Sequence, residues 1–274
     1  MANVVTTAAT LDNSLIELID AEVIVSGAGV NKIDAFVDTQ VVIGAKAIDF
    51  TIYSKLAKAT TALTDGVDVD AVAMADASVT FIPKEYGNVV TTTQLANLQT
   101  GGKADRAAAR LTGINLAETT NQLGINALED GTNTTAAATS GALAKGDLRG
   151  AYQRLASKRI PKINGYYVAF MNPAQISDIK DDYISIAQNT NLELATSGVV
   201  GTLEGFVIVE DADVTAGQVN CFGMGALGKA ISAEPEAVIT GPFDRLARMM
   251  NMGWKGTIAY GIVDDNAIEI ITGA

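Results

Sequence analysis

Gly223, Gly225 and Gly228 stand in the order G-x-G-x-x-G behind the apolar run Val219-Asn220-Cys221-Phe222. With that spacing a strand-to-helix turn can bring backbone N–H groups against a pyrophosphate. Such a site needs a helix next and a further strand after it. In a chain of 274 residues too little sequence remains beyond Gly228 for a doubly wound half-domain, and Pro235 and Pro242 interrupt it. The chain also has 26 glycines, which makes chance matches common. Glycines in a tight connection are therefore the stronger reading, with a nucleotide-dependent enzyme as the weaker. The earlier run Val23-Ile24-Val25-Ser26-Gly27-Ala28-Gly29 lacks the third glycine and reads as a turn.

Asp65, Asp68, Asp70 and Asp76 could offer oxygen ligands to Ca²⁺, but their spacing is not that of an EF-hand loop, and solvated acids are the better reading. Arg149, Arg154, Lys158 and Arg159, between Lys145 and Lys162, form the densest positive stretch. Tyr152 is the one ring among them before Tyr166, too few for strand binding, so salt bridges within the subunit or to an acidic neighbour are expected. Asp181-Asp182 and Asp264-Asp265 are adjacent pairs whose side chains should point apart. There is no histidine, the usual general base and transition-metal ligand near neutral pH, and Cys221 is the single cysteine. No catalytic, cofactor-binding or metal-binding residue is assigned, no cofactor is expected, and the chain is read as not an enzyme.

Composition narrows the partners. The net charge is −12, a field that repels phosphate backbones, so tight direct nucleic-acid binding is not expected. No arginine precedes Arg106, and over residues 1–90 only Lys32, Lys46, Lys55, Lys58 and Lys84 oppose twelve acids. That acidic front third is a solvated face or a surface for docking on a more basic part of a neighbouring copy. Apolar runs stay short of the roughly 20 residues of a membrane span, and Met-Ala-Asn-Val-Val-Thr-Thr has no secretory pattern, so a soluble, cytoplasmically made protein is expected.

The elements that must position these groups follow from periodicity. Leu11, Leu15, Leu18 and Ile19 give a short helical pattern in a segment too short to bury its own apolar face, read as an arm. From Val41 the period becomes two, with Ile48, Phe50 and Ile52 on one strand face; Val79 to Ile82 and on to Val89-Val90-Thr91 offers the return strand. The connection between them is far longer than a hairpin loop of 2–5 residues, and a two-stranded ribbon is at best marginally stable alone. It is expected to reach an adjacent chain.

A long helix is expected over Lys103 to Glu129, with Ala107, Leu111, Ile114, Ile125 and Leu128 near one stripe and Asp130-Gly131 as its stop. Gly113 and Gly124 cost it about 1 kcal/mol each, which calls for close tertiary contact. Thr132 to Gly141 reads as a loop, Asp147 to Lys158 as a helix, Tyr166 to Met171 as a strand and Asn172-Pro173 as the start of a helix to about Lys180. Short strands are expected from Tyr183 onward. The fold class is α+β.

Several stretches in order carry a resemblance: Gly201 to Val209, Cys221 to Ala230, Gly241-Pro242-Phe243-Asp244-Arg245 and Met252-Gly253-Trp254-Lys255-Gly256, after the ribbon, long helix and Asn-Pro turn above. Together they resemble the major capsid proteins of tailed bacteriophages of the Hong Kong 97 type over almost the whole chain. The resemblance implies an N-terminal arm (1–36), an extended β-ribbon loop (37–91), a peripheral domain with a long spine helix (92–182), an axial domain (183–230) and a return to the peripheral domain (231–274).

It further implies a structural subunit that self-assembles as hexamers and pentamers into an icosahedral head, encloses double-stranded DNA without sequence-specific binding, and works with scaffolding, portal and possibly decoration proteins. Assembly would take place in the cytoplasm of a bacterial host and the product would reside in the virion. The nearest alternative is an encapsulin shell with a protein cargo, and a more distant one a surface-layer protein. An intersubunit Lys–Asn crosslink, known in some relatives, finds no matching partners here.

Overall fold

The computed structural model describes residues 31–100, 103–139, 141–185, 201–242 and 246–273, giving only backbone for 100, 103 and 181–185. The expected arm lies outside the described residues up to position 30.

Six strands, β5 (Thr134–Ala136), β6 (Tyr167–Met171), β7 (Thr202–Leu203), β8 (Phe206–Glu210), β9 (Gln218–Phe222) and β12 (Ile268–Thr272), form a mixed sheet in the order β5-β12-β9-β6-β8-β7. Every residue of β6 is buried, as befits a strand covered on both faces. Helix α3 (Lys145–Ser157) supplies Leu148, Ala151 and Leu155 to the core beside it, and α4 (Pro173–Ser185) supplies Ile176 and Ile179. Phe36 meets Phe170 and Phe222 edge-on, with ring centroids 5.9 and 6.3 Å apart.

The helix ends follow the chemistry expected of them. Asp147 accepts from the Ala144 N–H at 3.1 Å at the start of α3, and Arg159, at φ 57°, leaves the helical path before Pro161. Asn172 accepts from Ala174 N at 3.2 Å with Pro173 in the first turn of α4.

The second sheet has the order β1-β10-β11-β4, from β1 (Asp38–Val41), β4 (Lys84–Thr93), β10 (Leu227–Thr240) and β11 (Met249–Ile262). Helix α2 (Lys103–Glu129) lies against β11, β4 and β10, and the short α1 (Gln94–Thr100) joins β4 to it. Gly124 is where the turn at residues 33–36 crosses the helix, since an added Cβ would stand 2.6 Å from Ile33 Cγ2. The close contact expected at this glycine is present.

The third unit is a two-stranded ribbon, β2 (Ile48–Tyr53) against β3 (Asp76–Phe81), with Ile48 opposite Phe81 and Tyr53 opposite Asp76.

Four expectations need correction. The return strand is not continuous to Thr91: it ends at Phe81, and beyond Pro83 the chain crosses to the other sheet as β4, paired with β11. Proline has no N–H for a ladder, so a change of sheet falls there naturally. Residues 132–141 are not all loop, because β5 pairs in parallel with β12. Nor are the strands after Tyr183 all short: β10 and β11 run 14 residues each, and register shifts between Ile231 and Glu236 absorb Pro235. On α2, Ile125 and Leu128 are buried as expected, whereas Ala107 and Leu111 are exposed; nearer its start the buried side chains are Ala108, Ala109, Thr112 and Ala117, small groups that let the helix lie close to the sheet. The six-stranded sheet also draws strands from both sides of residues 183 and 231.

Candidate assembly surface

The ribbon is rooted by aromatic packing on a glycine pair. Gly228 and Gly261 face each other across β10 and β11, and neither has room for a Cβ. At Gly228 it would stand 2.8 Å from Phe81 and 3.0 Å from Phe50, and at Gly261 2.6 Å from Phe81. The two rings pack at 4.7 Å, and Ile48, Phe50 and Phe81 are buried with Ala230 in a small core of their own. Only the alternate residues of β2 take part, as a half-buried strand requires.

Beyond this root the ribbon lies on nothing among the described residues. Tyr53 is exposed, and so are Leu56, Leu63, Val67, Val69, Val72 and Met74 in the connection, each by more than 60%. Burying one such side chain is worth about 1.5–3 kcal/mol, so this concentration marks a surface for association. Asp65, Asp68, Asp70 and Asp76 sit among these apolar residues as exposed acids. No cluster of potential metal ligands occurs among the described residues, and none of their helices is long and apolar enough to cross a membrane.

The glycine motif forms a turn between two strands. After β9 the chain turns at Gly225, φ 78°, and enters β10 where a nucleotide site would need a helix. At Gly223 an added Cβ would stand 2.4 Å from Ile160 Cγ2 and 2.8 Å from the Pro161 carbonyl oxygen. Packing accounts for Gly223 and Gly228, and the left-handed turn for Gly225.

Three of the four cations of the positive stretch are engaged inside the subunit. Arg149 pairs with Glu204 at 3.0 Å, Arg154 with Glu269 at 2.5 Å, and Lys158 with Glu269 at 3.9 Å. Glu269 is buried and also accepts from Thr135 Oγ1 at 2.6 Å, which ties β5, β12 and α3 together. Lys162 donates to the Tyr152 hydroxyl at 2.7 Å.

Of the acidic pairs, Asp264 caps the turn that follows it by accepting from Asn266 N, and Asp265 accepts from Thr132 N at 3.0 Å and Asn133 Nδ2 at 3.1 Å. The side chains of Asp181 and Asp182 lie outside the described residues. Cys221 is buried, and burial pushes its thiol well above the ordinary range; the charge of Glu269 adds to the shift and Arg154 opposes it.

A polar knot beside the ribbon root escaped the sequence reading. Asp34 accepts from Lys229 Nζ at 2.6 Å and from the Tyr260 hydroxyl at 2.7 Å. Asn121, buried on α2, accepts from Lys32 N at 3.1 Å and donates to Asp211 at 3.0 Å and Asp213 at 2.9 Å. The first described residues are thus bonded to α2 and to both larger sheets. Burial raises the ionisation of Tyr260 far above the usual phenol range, with the Asp34 charge next in effect. Its partners are up to 226 positions apart, and no local pattern announces them.

No curated protein matches the chain in sequence. Among solved structures, the capsid of Ralstonia phage GP4 superposes with a TM-score of 0.70 at 12% identity, covering 89% of this chain and 88% of that one. The capsid of cyanophage P-SCSP1u gives 0.67 at 12% identity over 89% and 88%. A virus-like particle from Pyrococcus furiosus gives 0.60 at 14% identity over 94% and 99%. At such identities the likeness is one of fold. Residues 78–271, more than half of the chain, match the family described as phage capsid protein, and the chain belongs to that family.

Proposed function

We propose that this chain is the structural major capsid protein of a tailed phage, self-assembling as hexamers and pentamers into an icosahedral head that encloses double-stranded DNA without reading its sequence. The observation that carries the reading is the ribbon: it leaves a firm aromatic root and then exposes seven large apolar side chains that no described part of its own subunit covers. Membership of the capsid family supplies the partner, further copies of the same chain. In a closed symmetric shell, interfaces that are modest singly are repeated until no open edge remains.

In this reading the ribbon is the extended loop, α2 is the spine helix of a peripheral domain completed by the four-stranded sheet, and the six-stranded sheet with α3 and α4 is the axial domain. Residues 1–36 serve as the arm. The division follows the sheets, so the peripheral unit takes three separate stretches of chain and the axial unit two. The role is structural and not catalytic, which the use of Glu269, Arg154, Asp264 and Asp265 in holding the fold supports. A portal, a scaffolding protein and decoration proteins are the further partners, with assembly in the bacterial cytoplasm and residence in the virion.

Negative-stain microscopy of the purified protein tests this directly. Regular hollow shells that package DNA in an infected host are expected. Small oligomers at high concentration would contradict the reading, and shells holding a protein cargo would transfer it to an encapsulin compartment.

A further inference from the structure

Arg159 is exposed and has no ion-pair partner among the described residues. It also holds a backbone conformation that its side chain makes costly. Arg159 N donates to the Ala156 carbonyl at 3.0 Å and Ile160 N to the Leu155 carbonyl at 3.3 Å. This pair of bonds closes α3 and sets Arg159 at φ 57°, a position where glycine is the usual residue. An arginine kept there against its preference points to a use for the side chain.

The loop that follows presents more donors. Lys162 is exposed, with its ammonium held over the Tyr152 and Tyr167 rings at 4.8 and 5.4 Å. Ile163 and Tyr166 exchange backbone bonds at 2.9 and 3.0 Å, so the chain turns at Asn164, φ 50°, and Gly165, φ 89°. Both turn residues are exposed, and their N–H groups bond nothing among the described residues. Around this loop the five cations Arg149, Arg154, Lys158, Arg159 and Lys162 stand against the two carboxylates that pair with them, Glu204 and Glu269, a surplus of three in a chain of net charge −12. Charges beyond a Debye length of about 8 Å are largely screened at physiological salt, so the local surplus decides what the loop attracts. Its exposed large apolar side chains are Tyr166 and Met224, the latter joined to it by Met224 N on the Pro161 carbonyl. That is too little for the apolar centre of a protein interface. Arginine, lysine, a tyrosine hydroxyl and open backbone N–H groups are instead the set that holds duplex phosphates.

We propose that the loop at residues 158–166 is where the subunit touches the phosphate backbone of enclosed double-stranded DNA, through Arg159, Lys162 and the N–H groups of Asn164 and Gly165. The proposal rests on the shell reading and adds to it the surface that meets the genome. Two charged contacts per copy bind weakly, in keeping with an acidic subunit, and repetition of the loop around a shell multiplies them. Phosphate contacts carry no base sequence, so every duplex is held alike.

Anisotropy of a labelled duplex titrated with dissociated subunits over a series of salt concentrations tests it. Arg159→Gly should weaken binding severalfold and reduce the slope of log affinity against log salt by about 1. The same change should raise the melting temperature, because glycine adopts a positive φ without steric cost. Adding Lys162→Gln should take about 1 more from the slope, and duplexes of different sequence should respond alike. Affinity and slope unchanged in both variants would overturn the contact while leaving the shell reading standing. Variants that hold the duplex as the parent does but lose assembly without DNA would also overturn it, and would assign the loop to an acidic face of a second copy. Shell formation by the parent, read by microscopy without DNA, reports on the shell reading separately.

Discussion

Cys221 and Tyr260 report on the interior at the level of single groups. The Cys221 thiol is pushed up by burial, and the thiolate is the reactive form. It should resist iodoacetamide at pH 8 in the folded protein and react once denaturant opens the sheet, as mass spectrometry would read. The Tyr260 hydroxyl is held protonated by burial and by Asp34. A folded pKa above the unfolded value gives stability that is complete below the unfolded pKa, about 10 for tyrosine, and is lost as pH climbs toward the folded value. Tyr260→Phe should therefore flatten the alkaline limb of a stability–pH curve. It should also remove about 1.5–3 kcal/mol near neutrality, the usual worth of a hydrogen bond to a charged group. Gly261→Ala should loosen the ribbon root, since its Cβ would stand 2.6 Å from the Phe81 ring; hydrogen exchange would show the loss confined to β2 and β3.

Among the elements, α2 shows what a sequence can and cannot reveal. Its bounds, Lys103 to Glu129, were readable from composition and the Asp130-Gly131 stop, and so was the buried face near its end, Ile125 and Leu128, but the buried face of its first half was not. Counting large apolar residues singled out Leu111, whereas the sheet accepts Ala108, Ala109 and Thr112, because close approach rewards small volume. Ala109→Leu should overpack this contact and lower stability by roughly 1–3 kcal/mol in thermal melts. Leu111→Ala should leave the subunit within about 0.5 kcal/mol of the parent. The ribbon was legible from the alternation of Ile48, Phe50 and Ile52 and from its long connection. The change of sheet at Pro83 was not, since pairing partners lie far along the chain: β4 meets β11 from Met249 onward. The polar knot of Asp34, Lys229 and Tyr260 was invisible for the same reason.

For the molecule as a whole, the two larger sheets and their helices hold the main buried cores, while the ribbon beyond its aromatic root buries almost nothing. On the proposed reading its exposed valines, leucines and aspartates are covered by another copy, which makes ordering of the tip and association of subunits one event. Capsid-family membership over 78–271 says what that event builds. The most direct test is hydrogen exchange over residues 54–75, compared between dissociated subunits and assembled particles. Slow exchange that appears only on assembly is the expected result, and fast exchange in both states would contradict the claim that copies of this chain cover one another's ribbons.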